Sequence, residues 1–191
     1  HLSVMDNEGN AVSMTYTLEW TYGSRMGSPD LGFILNNEMG DFNPQPGMTT
    51  SSGRIGTPPN VIAPEKRMLS SMSPTIVKKD GKPYLVIGTP GGRTIINTTF
   101  QTILNVLEFN MPIDKAIEAI KIHHQWLPDM IFYEPDKMSP DTREALKAMG
   151  HSLSYRSPNL GRLMGIIYNP ELEVFIGAND SGSPDSGVSG Y

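Results

Sequence analysis

Residues 73–94, SPTIVKKDGKPYLVIGTPGGRT, decide the fold, because a hairpin, a glycine turn and the start of a helix follow one another there. SPTIVKK and PYLVIG are strand-like runs on either side of Asp80-Gly81, a dipeptide that is a strong short-range hairpin signal. The second run leads through TPGGRT into an amphipathic stretch, Thr94 to Phe109, which predicts a helix. A sheet is therefore joined directly to a helix that covers it.

The rest of the chain extends this pattern in both directions. Apolar residues at helical spacing predict a second helix over Ile113 to Ile122. A third helix has Ser139 as N-cap, Pro140 at its first position and Gly150 past its end. The tail returns to strands, LMGIIY and EVFIGA, around a turn at Asn169-Pro170. Strands, then helices, then strands indicate an α+β fold in which a mixed sheet is layered against helices.

The first residues, HLSVMDNEGNAVSMTYT, predict another hairpin, with strands over Leu2 to Met5 and Ala11 to Leu18. In the second strand every other residue is apolar, so one face is expected to pack in the core. The opposite face carries Ser13, Thr15, Thr17 and Glu19, and a solvent-exposed sheet surface is the ordinary interpretation of such a face. The strand begins so close to His1 that the chain is expected to start inside a longer protein.

Composition narrows the classes of function. The chain has 191 residues, a net charge of -5 and no block rich in Lys or Arg, which argues against nucleic acid or an anionic membrane as partner. No apolar run approaches the roughly 18 residues of a membrane span. The absence of cysteine suits an oxidising compartment as well as the cytosol. No cofactor is expected, and the adjacent His123-His124 pair lacks the spacing of a metal site.

Three short segments carry candidate chemistry. Gly91 and Gly92 leave backbone N–H groups uncovered near a helix N-terminus, where they could stabilise an oxyanion, although a tight turn needs glycine for its own sake. Ser70 and Ser71 could donate to a carboxylate. Glu38 and Asp41 could hold an ammonium group, although a solvated acidic loop is the ordinary outcome. Residues 43–67, rich in Gly, Pro, Ser and Thr, predict a lid or binding loop, with disorder as the alternative.

Five motifs, in this order and spacing, resemble the small C-terminal subunit of the gamma-glutamyltransferases, also called gamma-glutamyltranspeptidases or glutathione hydrolases: HLSVMDNEGNAVSMTYT, GFILNNEMGDF, LSSMSPTIV, GTPGG and HHQWLPD. The resemblance extends to the final SGY at Tyr191. It implies an N-terminal-nucleophile hydrolase fold, a four-layer αββα sandwich completed by a large subunit. Residues 1–191 would then be a single domain, the small catalytic subunit.

The resemblance also implies a mechanism and its residues. A precursor cuts itself, and the new N-terminal Thr, two residues before His1, attacks γ-glutamyl donors such as glutathione, passing the acyl group to water, an amino acid or a dipeptide. Thr17 matches a residue that orients this nucleophile, and Gly91 and Gly92 match the oxyanion hole. The remaining matched residues would bind the substrate's amino acid end. Ser70 and Ser71 would bind its α-carboxylate, and Glu38 and Asp41, with Glu19, would bind its α-ammonium group.

The resemblance also implies partner subunits, and the sequence differs from the family pattern at several positions. The protein would be a heterodimer, with a dimer of heterodimers left open, in the periplasm or outside the cell, with the cytosol also open. Glu19 stands where many members have Asn, and Ile120-Lys121 stands where a Pro-Arg pair occurs. Gly40 stands where Asp is frequent, and this change is expected to have little effect. Two alternatives remain at this point: a related acylase or poly-gamma-glutamate depolymerase, and a non-catalytic binding subunit if the upstream Thr is absent.

Overall fold

The computed structural model describes residues 1–43, 45–155 and 160–190, and its contacts divide the chain into two compact units. The first unit holds residues 1–15, 72–125 and the described residues from Asp129 onward, and the second holds residues 16–71 and 126–128. The assignment of the whole chain to one domain stays a prediction. The strands are β1 (Leu2–Met5), β2 (Ala11–Met14), β3 (Gly27–Ser28), β4 (Phe33–Ile34), β5 (Thr75–Lys79), β6 (Lys82–Gly88), β7 (Ile122–His123), β8 (Ile131–Tyr133), β9 (Leu153–Tyr155), β10 (Met164–Asn169) and β11 (Val174–Asn179).

A four-stranded antiparallel sheet in the order β11-β10-β6-β5 forms the centre of the first unit. The hairpin predicted around Asp80-Gly81 is confirmed as β5–β6, and the predicted tail strands are confirmed as β10–β11. Strand β6 is apolar on both faces, because Leu85 and Ile87 pack against helices while Val86 points to the opposite face and is equally buried. A second, three-stranded sheet has the order β7-β8-β9.

Two helices cover one face of the four-stranded sheet, α1 (Ile95–Leu107) and α2 (Ile113–Glu118). Val106 of α1 and Ile117 of α2 are among the residues that pack in the hydrophobic core. Both helices were predicted, although α2 ends four residues earlier than expected. The third helix, α3 (Pro140–Ala148), is confirmed with its caps, since Ser139 Oγ accepts a hydrogen bond from the Thr142 N–H at 3.1 Å and Gly150 has a φ of 92°.

The hairpin β1–β2 packs against the four-stranded sheet through the face that the sequence analysis assigned to solvent. Ser13 Oγ donates to the Ile87 carbonyl at 3.1 Å, and Ser3 Oγ donates to the Met164 carbonyl at 3.5 Å. The apolar side chains of the opposite face, Leu2, Val4, Val12 and Met14, are between 44% and 50% exposed. The predicted core face is therefore wrong for this chain. Alternation separates the two faces of a strand but does not say which face finds a partner.

The second unit contains little regular structure. Strands β3 and β4 form a short antiparallel hairpin, and two 3-10 helices cover Glu38–Asp41 and Pro58–Asn60. The described part of the predicted lid, which excludes Pro44, has no other helix or strand, but its first residue, Asn43, forms an isolated bridge with Val61. Its action as a lid stays a prediction.

An ion pair is buried in the first unit. Lys121 Nζ lies 3.0 Å from Asp180 Oδ2, and the two side chains are only 1% and 2% exposed. Asp180 Oδ1 also accepts a hydrogen bond from the Gly182 N–H at 2.9 Å. The pair joins the residue before β7 to the residue after β11.

Among the described residues, no helix has the length and apolar character that crossing a bilayer requires.

Candidate functional site

A 3-10 turn brings two of the predicted acidic residues together. Glu38 and Asp41 are the first and last residues of the 3-10 helix, and the Glu38 N–H is bonded to Asn36 Oδ1 at 3.0 Å. Because this helix has about three residues per turn, side chains three positions apart lie on the same side. The two carboxylates therefore share one face of the turn, as a binding site for one ammonium group requires.

Glu19 joins the same group from a separate stretch of chain. The Asn37 N–H donates to the Leu18 carbonyl and the Trp20 N–H donates to Asn37 Oδ1, both at 3.2 Å, so the two stretches run side by side. The Glu19 N–H is held by Thr17 Oγ1 at 2.8 Å. Glu19, Glu38 and Asp41 are called the carboxylate trio below. Of the predicted site residues, this trio and Thr17 are thus brought into one cluster.

Ser71 completes the cluster. Its half-buried Oγ donates to Asp41 Oδ2 at 3.1 Å. Ser70, the neighbouring candidate, is exposed and has polar interactions of its own. A hydroxyl donor and a carboxylate acceptor therefore lie in contact within the second unit.

Asn60 is a site residue that the sequence did not indicate. Its buried amide donates from Nδ2 to the Asp41 carbonyl at 2.6 Å, and its Oδ1 accepts from the Leu69 N–H at 3.0 Å. It thereby ties the 3-10 turn to the segment that leads to Ser70 and Ser71. Asn60 lies in a stretch whose composition predicts only a loop, and no local pattern marks it.

Burial and like charge act together on Glu38. The side chain is only 9% exposed, and its Oε1 has no hydrogen-bond partner among the described residues, as is also true of Glu19 Oε2. Burial raises the pKa of Glu38, and the neighbouring Asp41 and Glu19 carboxylates raise it further, while Thr17 opposes the shift. The cluster therefore holds buried oxygens that a cation or a proton would satisfy.

The raised pKa of Glu38 predicts a pH-dependent stability. Just above its ordinary value the folded protein retains a proton that the unfolded chain has lost, so this stabilisation is complete at low pH and is lost as the pH rises through the raised pKa. Glu38→Gln should flatten this dependence and raise the Tm of the ligand-free protein by about 2–4 °C at neutral pH, the shift expected for about 1 kcal/mol. The measurement is Tm between about pH 4 and pH 8.

The exposed Glu65, in the same unit, supplies the control for this titration. Glu65→Gln should leave the pH dependence of Tm as it is in the wild type. If Glu38→Gln retains the wild-type slope, Glu38 is not the group that titrates.

Gly91 and Gly92 belong to the first unit. They follow β6 and lead through a 3-10 helix, Gly92–Thr94, into α1, and both are exposed. Gly91 has φ 154° and ψ 8°, and a Cβ there would lie 2.8 Å from Thr94 Oγ1. A tight turn therefore requires glycine at 91, as the simpler interpretation of the sequence stated, and the oxyanion role stays a prediction.

Gly40 and Glu19, two of the positions where the sequence departs from the resemblance, are in contact. A Cβ placed on Gly40 would overlap the Glu19 carboxylate. The sequence indicates no link between these two departures. They are 21 positions apart in the chain, and only the folded structure brings them together.

Comparison with known proteins identifies the relatives of this chain. The profile of the family described as gamma-glutamyltranspeptidase matches residues 1–189. The glutathione hydrolase proenzyme of Escherichia coli is 42% identical over 191 residues, which are 100% of this chain and 32% of that protein. The corresponding proenzyme of Pseudomonas aeruginosa is 46% identical over 87% of this chain and 30% of its own length. The chain thus spans about a third of the length of these curated relatives.

A solved structure supports the same relationship. The gamma-glutamyltranspeptidase of Helicobacter pylori superposes with a TM-score of 0.88 at 44% identity, over 95% of this chain and 98% of that one. The fold class is therefore that of the N-terminal-nucleophile hydrolases, as predicted. Within that class, the chain belongs to the gamma-glutamyltranspeptidase family.

Proposed function

We propose that the complete protein transfers γ-glutamyl groups from glutathione and related compounds to water, amino acids or dipeptides. One observation carries this proposal: the hydrogen bond from Ser71 to Asp41, beside the rest of the carboxylate trio. An α-amino acid carries its ammonium and its carboxylate on one carbon, so their binding groups must be neighbours. The Ser71 hydroxyl lies beside the clustered carboxylates, and its one O–H, which goes to Asp41 here, would turn to a ligand carboxylate once an ammonium group is bound to Asp41.

Charge favours a donor that bears an ammonium group. Glu19 and Glu38 each have a buried oxygen with no hydrogen-bond partner in the part of the chain that the structure describes. These oxygens disfavour a site that stays empty, because unsatisfied buried carboxylate oxygens cost free energy. An ammonium ion supplies three N–H donors and one positive charge. A glutaryl donor supplies neither, so the related acylase activities fit this cluster less well than γ-glutamyl transfer does.

The chemistry that we propose uses the threonine expected two residues before His1. Its hydroxyl oxygen bonds to the γ-carbonyl carbon while its own α-amine takes the proton, which then passes to the departing amine as the C–N bond breaks. Water or a second amine next attacks the ester and releases the threonine. Thr17 would orient the hydroxyl, and the Gly91 and Gly92 N–H groups would stabilise the oxyanion.

The free α-amine of this threonine would be produced when the protein cleaves its own precursor. Before cleavage, the nitrogen of that threonine is an amide and cannot accept a proton, so only the cut chain has the base that the reaction needs. The term proenzyme in the names of the two relatives supports such processing. The partner of this chain would then be the large subunit from the same precursor, and a dimer of these heterodimers is a further proposal.

A chromogenic assay tests the proposal. The full precursor is expressed, its cleavage is verified by mass, and the purified protein is given γ-glutamyl and glutaryl anilides that differ only in the α-ammonium group. The γ-glutamyl anilide should release aniline, at a kcat/KM more than about 100-fold above that of the glutaryl compound. A protein that turns over no γ-glutamyl donor, or that prefers the glutaryl anilide, contradicts the proposed function.

A further inference from the structure

Gly40 is a glycine that its own backbone does not require. It lies inside the 3-10 helix Glu38–Asp41 and, unlike the glycines of the turns, has no positive φ. Its surroundings give the reason, since an added Cβ would overlap both carboxylate oxygens and the carboxyl carbon of Glu19. The missing side chain at position 40 therefore leaves the room in which the Glu19 carboxylate lies.

Glu19 is held in that room by an unusual backbone. Its φ is 71°, in the left-handed region that residues other than glycine adopt rarely, and the Thr17 hydroxyl holds its N–H at 2.8 Å. Strained positions of this kind persist where the surroundings determine them, and they concentrate at functional sites. The carboxylate that this backbone directs onto Gly40 has a buried Oε2 with no hydrogen-bond partner among the described residues.

The Glu19 carboxylate, in its place beside Gly40, is a third carboxylate in a cluster that already contains those of Glu38 and Asp41. Glu38 is the deepest member, at 9% exposure, and it too has an oxygen without a hydrogen-bond partner in the described part of the chain. One ammonium group carries one positive charge, and its three N–H donors match three carboxylates. With Glu19 in position, each donor can therefore have its own carboxylate acceptor.

We propose that Gly40 and Glu19 act as a matched pair that determines how strongly the protein prefers ligands with an α-ammonium group. The inference rests on the proposed function and goes beyond it. In it, Glu19 is a specificity-determining residue, and Gly40 is the positioning residue that admits the Glu19 carboxylate. A side chain at 40 would displace that carboxylate even though residue 40 itself touches no ligand.

Binding of two ligands that differ only in the ammonium group tests the pair. Calorimetry on the complete processed protein gives the affinity for L-glutamate and the affinity for glutarate. The glutamate affinity divided by the glutarate affinity isolates the contribution of the ammonium group to binding. Glu19→Gln should lower this ratio by about tenfold, the effect of losing one charge-assisted contact. Gly40→Ala should lower it as much, and the double variant should lower it no further, because both changes remove the same contact.

Two further measurements keep the test independent of folding defects. Gly187→Ala is the control, since Gly187 is exposed and an added Cβ there meets nothing within 4 Å. Gly40→Ala should change Tm little, because the only atoms that the new Cβ would overlap are the far end of the flexible Glu19 side chain, which can move aside, so a lower ratio in this variant is not a folding defect. If Gly40→Ala does not fold, Glu19→Gln, which keeps the shape of the side chain, still tests the charge.

The possible failures are distinguishable. Suppose that the wild-type protein turns over γ-glutamyl anilide, but that Glu19→Gln or Gly40→Ala has the wild-type ratio of glutamate affinity to glutarate affinity. That result overturns this inference and leaves the proposed function standing. A wild-type protein that neither turns over the anilide nor binds L-glutamate overturns both.

Discussion

Replacing Asp41 with alanine is expected to lower kcat/KM for γ-glutamyl donors by about 150- to 5,000-fold, mainly through a higher KM. The change removes the acceptor of the Ser71 hydrogen bond and one carboxylate of the trio. Losing one partner of a desolvated charge pair costs about 3–5 kcal/mol, because the other charge is left without compensation. Steady-state kinetics on the processed protein, with mass analysis to confirm cleavage, measures the effect.

Two other variants show whether the loss comes from binding. Asp30→Ala removes an exposed aspartate of the same unit and should leave kcat/KM within about twofold of the wild type. Thr17→Ala should instead lower kcat and slow self-cleavage, since its proposed role concerns the nucleophile. Wild-type kinetics for both Asp41→Ala and Thr17→Ala would mean that the site is misplaced.

The second large effect is expected on stability, from Lys121→Met. This substitution removes the positive charge that lies 3.0 Å from Asp180 Oδ2 and leaves Asp180 buried and negative. The free energy of unfolding should fall by about 3–5 kcal/mol, a large part of the stability of an ordinary domain. Denaturant or thermal unfolding of the complete protein measures it.

A double variant separates the charge from the lost packing. Asp180→Asn keeps an oxygen for the Gly182 N–H but removes the negative charge, so Lys121→Met with Asp180→Asn should recover more than half of the loss. Lys147→Met is the matched control, because the pair between Lys147 and Glu144 is more than half exposed and should contribute less than about 0.5 kcal/mol. If the double variant is as unstable as the sum of its parts, unpaired charge is not the cause.

Local structure was largely predictable from short patterns. The Asp80-Gly81 turn and the caps at Ser139 and Gly150 identified a hairpin and a helix whose bounds the structure reproduces closely. These features depend on residues within a few positions of each other. Prediction was poorer for β2, which ends at Met14, four residues before the expected end, where the chain passes into the second unit.

The candidate site was predictable in its residue types and less so in its arrangement. The sequence indicated Glu38 and Asp41 as a pair, and their spacing suits the 3-10 turn that unites them. It did not indicate Asn60, which holds Asp41 from the end of a 3-10 helix 19 positions away. It also treated Gly40 as a change of little effect, because nothing in the neighbouring residues shows that the Glu19 carboxylate occupies the adjacent space.

The sequence by itself therefore determined the α+β order of the elements, the family and the chemical groups available, since each of these depends on residue types and their spacing. Only the tertiary structure decided which face of the β1–β2 hairpin packs, that Lys121 is buried against Asp180, and that Gly40 makes room for Glu19. Each of these outcomes depends on a contact between residues that are distant in the chain. Such contacts arise from the packing of whole elements, and no local pattern specifies them.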